Sequence, residues 1–187
     1  MSFLKDRGAG SLGDPSGIWV SDDDTKYVAD MQRRQVVAYD RDDRFVRAYG
    51  GKGLFEKPVD VAVFEKRVYV IDMKKHSLFI LNRDSGGLIK TVGGKGRGEG
   101  EFFRPTHVTV DFLGNVFVTD AFNFRIQEFS PDGRFMKIIG FHGDRLGGFA
   151  RPKGLAADKQ DNLYAVDAAF ENVQIFDKKG QLLLFFG

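Results

Sequence analysis

The chain has 187 residues, 42% hydrophobic and 29% charged, with 28 Lys+Arg against 26 Asp+Glu for a formal net charge of +2. So small a net charge gives no long-range attraction to nucleic acid or an anionic membrane, and the absence of cysteine excludes disulfides and thiolate metal sites. No apolar run reaches the length of a membrane-spanning helix, and residues 1–7 hold no apolar stretch of the signal-peptide kind.

Residues 1–14 read as a lead-in, in which Phe3-Leu4-Lys5 and Gly8 look like the tail of an outer strand. Four repeats follow, over residues 15–50, 58–93, 105–140 and 152–187. Each begins at a proline (Pro15, Pro58, Pro105, Pro152), passes an aspartate at the end of its second apolar run (Asp30, Asp72, Asp120, Asp167) and closes on a glycine (Gly50, Gly93, Gly140, Gly187). The prolines step by 43, 47 and 47 residues, the aspartates by 42, 48 and 47, and the glycines by 43, 47 and 47. Three markers sharing one period in the forties, with four strand-like runs per unit, predict an all-β fold: a β-propeller of four-stranded antiparallel blades.

In the second repeat Val61-Ala62-Val63-Phe64 is apolar at every position, as expected of a blade covered on both faces. The third shows the local logic in full. Residues 108–111 and 116–119 are short β-rich runs parted by the turn signal Leu113-Gly114-Asn115; residues 125–129 make a third strand, Ser130-Pro131-Asp132-Gly133 the next turn, and residues 135–139 a fourth strand. The fourth repeat follows the same plan, with turns at 160–162 and 178–180. Small residues recur four places after the proline (Ala62, Thr109, Ala156), where blades are expected to pack closely; the first repeat departs, with Trp19 there.

These segments resemble the NHL repeat family. The resemblance rests on Pro105–Asp111, Gly114–Asp120, Asn123–Phe129, Asp132–Met136 and the linker Gly98–Phe102, and extends over residues 15–187. It implies a propeller that usually has six blades, so the four blades here are expected to form part of a larger ring. An arc closed by self-association or a four-bladed ring is the alternative. NHL propellers serve in RNA-binding proteins, receptor sensor domains, extracytoplasmic bacterial proteins and a zinc-dependent lyase, so the resemblance is compatible with an extracytoplasmic origin. The lyase relatives carry metal-binding histidines immediately after the blade proline. Those places hold Ser16, Val59, Thr106 and Lys153 here, and no zinc set is expected.

Several residues are candidates for function. The four aspartates read as structural acceptors for the following turn or for a strand residue such as Arg125. The linkers Gly50–Gly53 and Gly93–Gly100 look like phosphate loops, but Lys52 and Lys95 are each followed by glycine rather than Ser or Thr, and no helix follows. The second position after each proline holds Gly17, Asp60, His107 and Gly154. Asp60 and His107, on neighbouring blades at the expected channel mouth, are weak candidates for a metal or a polarised ligand. The loops after each aspartate share one face and carry Arg33, Arg34, Lys74, Lys75, His76, Phe122, Phe124 and Phe170, basic in the first two repeats and aromatic in the last two. The expectation is a non-catalytic module that binds a protein partner through this face, with no cofactor. The alternative is part of a propeller enzyme of the lyase or lactonase kind whose ligands lie in other blades, and third is RNA binding.

Overall fold

The computed structural model describes residues 9–187 apart from residue 52, so the tail-like Phe3–Lys5 and Gly8 lie outside the described residues. Four antiparallel four-stranded sheets follow one another in chain order. The first blade contains β1 (Pro15–Val20), β2 (Lys26–Asp30), β3 (Gln35–Tyr39) and β4 (Phe45–Tyr49). The second contains β5 (Pro58–Phe64), β6 (Arg67–Asp72), β7 (Ser77–Asn82) and β8 (Leu88–Gly93). The third contains β9 (His107–Val110), β10 (Val116–Asp120), β11 (Arg125–Phe129) and β12 (Phe135–Ile139). In the link to the fourth blade, β13 (Phe141–His142) pairs in parallel with β14 (Gly148–Phe149), and the fourth contains β15 (Pro152–Ala157), β16 (Leu163–Asp167), β17 (Asn172–Phe176) and β18 (Leu182–Phe186). The innermost strands touch in series, β1 to β5, β5 to β9 and β9 to β15, which makes the molecule a propeller of four blades.

The four aspartates each close a second strand and are fully buried. Every one ties the linker before its blade to the turn after its strand. Asp72 accepts the backbone N–H groups of Glu56 (2.6 Å) and Lys57 (2.9 Å) from the linker, and of Lys74 (3.0 Å) and Lys75 (2.9 Å) from the turn. Asp30 does the same for Gly13, Asp14 and Arg33, and Asp167 for Ala150, Arg151, Ala169 and Phe170. Burial opposes the charge on Asp30 and Asp167, but these N–H groups outweigh it and hold both carboxyls below their ordinary value. Asp120 takes one linker N–H, from Phe103, and otherwise accepts side chains: Asn123, Arg125 and Gln127.

The clamp imposes a backbone conformation that the composition hides. Four residues beyond each aspartate, Arg34, His76, Phe124 and Glu171 all have φ between 53° and 55°. Left-handed backbone costs a residue with a Cβ about 1–2 kcal/mol, and here it recurs four times without a glycine. The turn's own hydrogen bonds to the aspartate hold it there.

Between blades the packing repeats as well. Phe55, Phe102 and Phe149 lie three residues before Pro58, Pro105 and Pro152 and are at most 1% exposed. They meet Phe79, Phe129 and Phe176 at 5.2, 5.6 and 5.8 Å between ring centroids. The closing glycines Gly50, Gly93 and Gly140 have φ of 80°, 96° and 77°, and a Cβ on any of them would drive into the Phe55, Phe102 or Phe149 ring. These glycines are thus fixed both by φ and by contact. Ala62 and Thr109 are buried between sheets as expected, whereas Ala156 is exposed on the outward side of the fourth blade; Trp19 packs against the cores on both sides of the second blade.

A cation on each of the first three outer strands reaches forward to the next blade. Arg47 donates to the carbonyls of Arg83 and Asp84, Lys90 to those of Asp132 (3.1 Å) and Gly133 (3.2 Å), and Lys137 to that of Lys178. The equivalent residue of the fourth blade is Leu184, 51% exposed. Two places on, Tyr49, Val92 and Ile139 are buried, while their counterpart Phe186 is 54% exposed.

Replacing the buried Asp72 by alanine leaves four part-buried backbone donors without their acceptor. We expect a loss of about 3–5 kcal/mol in the free energy of unfolding, measured by urea denaturation. A loss below about 1 kcal/mol would show that the clamp contributes no more than a surface ion pair.

Candidate binding groove on the linker face

The linkers and the turns after the aspartates lie on one end of the molecule. There, between the second and third blades, a groove of about 410 Å³ is lined by Lys57, Met73, Lys74, His76, Phe103, Arg104 and Phe122. Of the residues predicted for this face, Lys74, His76 and Phe122 come together in it. The other four are linker or turn residues that repeat reasoning passed over. Their signal is positional, since Lys57, Phe103 and Arg104 occupy the one or two places before a blade proline, where the aspartate clamp turns the chain outward.

The wall of the groove is a chain of aromatic contacts. His76 lies 5.7 Å from Phe103 and Phe103 5.5 Å from Phe122, while the guanidinium of Arg104 sits 5.1 Å over the Phe122 ring. Lys95 adds an ammonium 5.5 Å over Phe103. His76 Nδ1 accepts the Arg104 backbone N–H at 2.9 Å, which requires a neutral ring. Burial, with Lys95 and Arg104 nearby, lowers the His76 pKa and keeps it so. Lys74 pairs with Glu56 at 2.8 Å, an exposed contact of small worth. The result is a cationic trough with two phenylalanines in its wall, Phe122 being 49% exposed.

The remaining face residues have other employment. Arg33 folds back on the lead-in, donating to the carbonyls of Ser11 and of Ala9 (2.8 Å), and Lys75 donates to those of Gly53 (2.9 Å) and Leu54 (2.7 Å). Phe124 stacks on His142 with centroids 4.1 Å apart and packs against the core between the third and fourth blades. Arg34 is exposed on the first blade, and Phe170 borders a separate cavity of about 240 Å³ beside the fourth. At the opposite end of the inner strands a third cavity, of about 450 Å³, carries Asp22, Asp23, Glu65 and Asp111 around Trp19, Phe64 and Phe112, with Arg83 paired to Asp23 at 2.6 Å. Carboxylates outnumber cations in this cavity, whereas the groove between the second and third blades is lined by cations.

Asp60 and His107 occupy neighbouring inner strands, but each is engaged within the protein. Asp60 Oδ2 accepts the Val108 N–H of the next blade at 3.0 Å, and its Oδ1 lies where a Cβ on Gly17 would sit. Only glycine fits there. His107 Nδ1 lies 3.0 Å from Thr106 Oγ1. Among the described residues, no cluster of three His, Cys, Asp or Glu side chains is placed to hold a metal. Burial raises the Asp60 carboxyl to about 6 and lowers the His107 imidazole to about 4, helped by Lys153.

These two shifts oppose each other. Between pH 4 and 6 the unfolded chain ionises Asp60 before the folded chain does, so that group makes stability fall as pH rises. The unfolded chain also protonates His107 more readily, so that group makes stability rise over the same window. Asp60→Asn is expected to steepen the rise with pH by on the order of 1 kcal/mol per pH unit relative to the unsubstituted chain, and His107→Gln to tilt the profile the other way. Thermal melts from pH 4 to 7 read the difference, and parallel profiles for all three proteins would refute it.

A family model described as a 6-bladed beta-propeller matches residues 50–115. Protein lin-41 of Caenorhabditis elegans is 46% identical over 50 residues, a stretch covering 27% of this chain and 4% of that protein. Among solved structures, hydrazine synthase of Kuenenia stuttgartiensis superposes with a TM-score of 0.73 at 15% identity, covering 98% of this chain and 51% of that chain. Virginiamycin B lyase of Staphylococcus aureus superposes with a TM-score of 0.62 at 13% identity, covering 92% of this chain and 69% of that one. The chain thus spans a small part of its curated relative and about half of the hydrazine synthase chain, and at these identities the structural likeness is one of fold.

Proposed function

We propose that this chain is a non-catalytic, NHL-type binding module whose linker face takes a protein partner. The observation that carries this reading is the convergence of Lys57, Lys74 and Arg104 with Phe103 and Phe122 on one groove. Such a surface suits an acidic segment bearing an apolar or aromatic side chain: the cations select the charge, and the phenylalanines give the anchor a dry wall. The partial match to lin-41, which rests on a single repeat-sized stretch, accords with the NHL reading.

Peptides selected from a random displayed library against this chain are expected to be acidic and to carry an aromatic or large aliphatic residue. Phe122→Ala and Arg104→Ala should each weaken the selected peptides about tenfold, the effect of losing one anchor of about 1.4 kcal/mol. Affinity should also fall with added salt. Selection of neutral peptides, or binding unmoved by both substitutions, would overturn the groove's role. Tighter binding of a single-stranded oligonucleotide than of any acidic peptide would favour RNA instead.

The outward sides of the first and fourth blades support a second property, self-association of this 187-residue chain when alone. Ile18 and Val20 are 63% and 54% exposed on one, and Leu184 and Phe186 51% and 54% on the other. Covering several hundred Å² of such surface contributes roughly 10 kcal/mol at about 25 cal/mol per Å², which favours association. Light scattering is expected to give a mass above that of one chain. A monodisperse monomer at high concentration would refute it.

A further inference from the structure

The four inner strands end in step. Val20, Val63, Val110 and Ala157 each pair with the residue four places before the blade aspartate, so they share one register position. All four line the cavity of about 450 Å³ at the end opposite the groove. That cavity therefore sits where the inner strands of all four blades converge, and the strand ends give it an apolar lining.

Two departures from the repeat put large aromatic rings into the same space. Trp19 stands where the other blades have Ala62, Thr109 and Ala156, and Phe64 where they have Ser21, Asp111 and Asp158. Those two aspartates organise their turns: Asp111 accepts the N–H groups of Leu113 (2.9 Å) and Asn115 (2.8 Å), and Asp158 those of Gln160 (2.8 Å) and Asn162 (2.9 Å). The second blade needs no such acceptor. Its step from proline to aspartate is 14 residues against 15 in the others, and Phe64 pairs with Arg67 across the two-residue turn Glu65-Lys66. Both rings are held in place. Trp19 packs against the cores on both sides of the second blade, and the Phe64 ring lies where a Cβ on Gly114 would sit. Phe112, exposed on the third blade, adds a further aromatic wall.

Four carboxylates and one guanidinium share the lining. The guanidinium is already engaged: Arg83 donates to Asp23 and to Tyr27 Oη, both at 2.6 Å, and lies 5.6 Å over the Tyr27 ring. Asp111 is occupied by its own turn. Asp22 and Glu65 are exposed on the turns of the first and second blades, and among the described residues neither pairs with a cation. Lys159 reaches the rim, 6.0 Å over the Phe112 ring, the outer limit of a cation–π contact.

We propose that this cavity binds a small organic ammonium ion, with its apolar body against Trp19, Phe64 and Phe112 and its charge toward Asp22 and Glu65. Aromatic faces attract an ammonium group and also take up the apolar body that carries it, and the free carboxylates select its charge. The cavity lies at the other end of the molecule from the groove and is independent of what the groove takes.

Trp19 is the one tryptophan of the chain, so its emission reports on this cavity directly. Titration of the 187-residue chain with benzylammonium chloride at neutral pH is expected to change that emission and to saturate with a Kd on the order of 1 mM, suited to so small a ligand. Benzyl alcohol, which has the same ring without the charge, should bind at least about tenfold more weakly. Glu65→Gln and Asp22→Asn, at exposed turn positions that leave the fold intact, should each weaken benzylammonium about threefold. Lys159→Gln removes the chain's own cation from the Phe112 ring and should tighten binding about twofold. Tighter binding of N-acetyl-lysine N-methylamide than of benzylammonium would assign the ammonium group to a lysine of a partner chain and overturn the small-molecule reading. No saturation, equal binding of benzyl alcohol, or binding unmoved by both carboxylate substitutions would each refute the site.

Discussion

One buried carboxylate per blade holds this molecule together at its most demanding point. The chain must leave the rim of one sheet, cross to the centre and enter the next sheet, and that crossing leaves backbone N–H groups without strand partners. The blade aspartate collects them from both sides, from the linker before its blade and from the turn after its strand. Because the same two oxygens serve both segments, neither moves without the other. The left-handed residues at Arg34, His76, Phe124 and Glu171 are a cost that this arrangement offsets, and they set the direction in which the following side chains leave the surface.

The groove follows from that constraint. His76 is left-handed because Asp72 fixes its turn, and Phe103 and Arg104 face it because Asp120 and the His76 ring hold their backbone N–H groups. Apart from the single 3-10 turn Ala121–Asn123, which carries Phe122, no helix is needed. Two clamps on adjacent blades bring a turn and a linker together, and the residues they happen to carry decide the chemistry.

The repeat was legible in the sequence because its markers are physical necessities. The proline starts an inner strand or, in the third blade, stands two residues before it, the aspartate satisfies the crossing, and the glycine admits the next linker's phenylalanine. The use of each blade's surface was less legible. Arg33, Lys75 and Phe124 looked like a partner face because their positions lie on exposed turns. Their side chains instead return to linker carbonyls or to a core, a choice made by tertiary contacts absent from a linear reading. Asp60 and His107 lie on the neighbouring inner strands β5 and β9. That Asp60 reaches across to Val108 and excludes a side chain at Gly17 depended on the spacing between sheets, which no residue pattern states.

The forward-reaching cations of the outer strands carry a consequence for how such a protein grows. Arg47, Lys90 and Lys137 grip main-chain carbonyls in the next blade's turn, and a carbonyl is the same whatever residue bears it. The joint is therefore indifferent to the sequence of the blade it receives. Duplication of a whole repeat after any of the first three blades finds its coupling already in place, and selection need only tune the apolar filling. After the fourth blade, where Leu184 replaces the cation, the grammar changes: a blade joined to that side must match it in shape and oiliness.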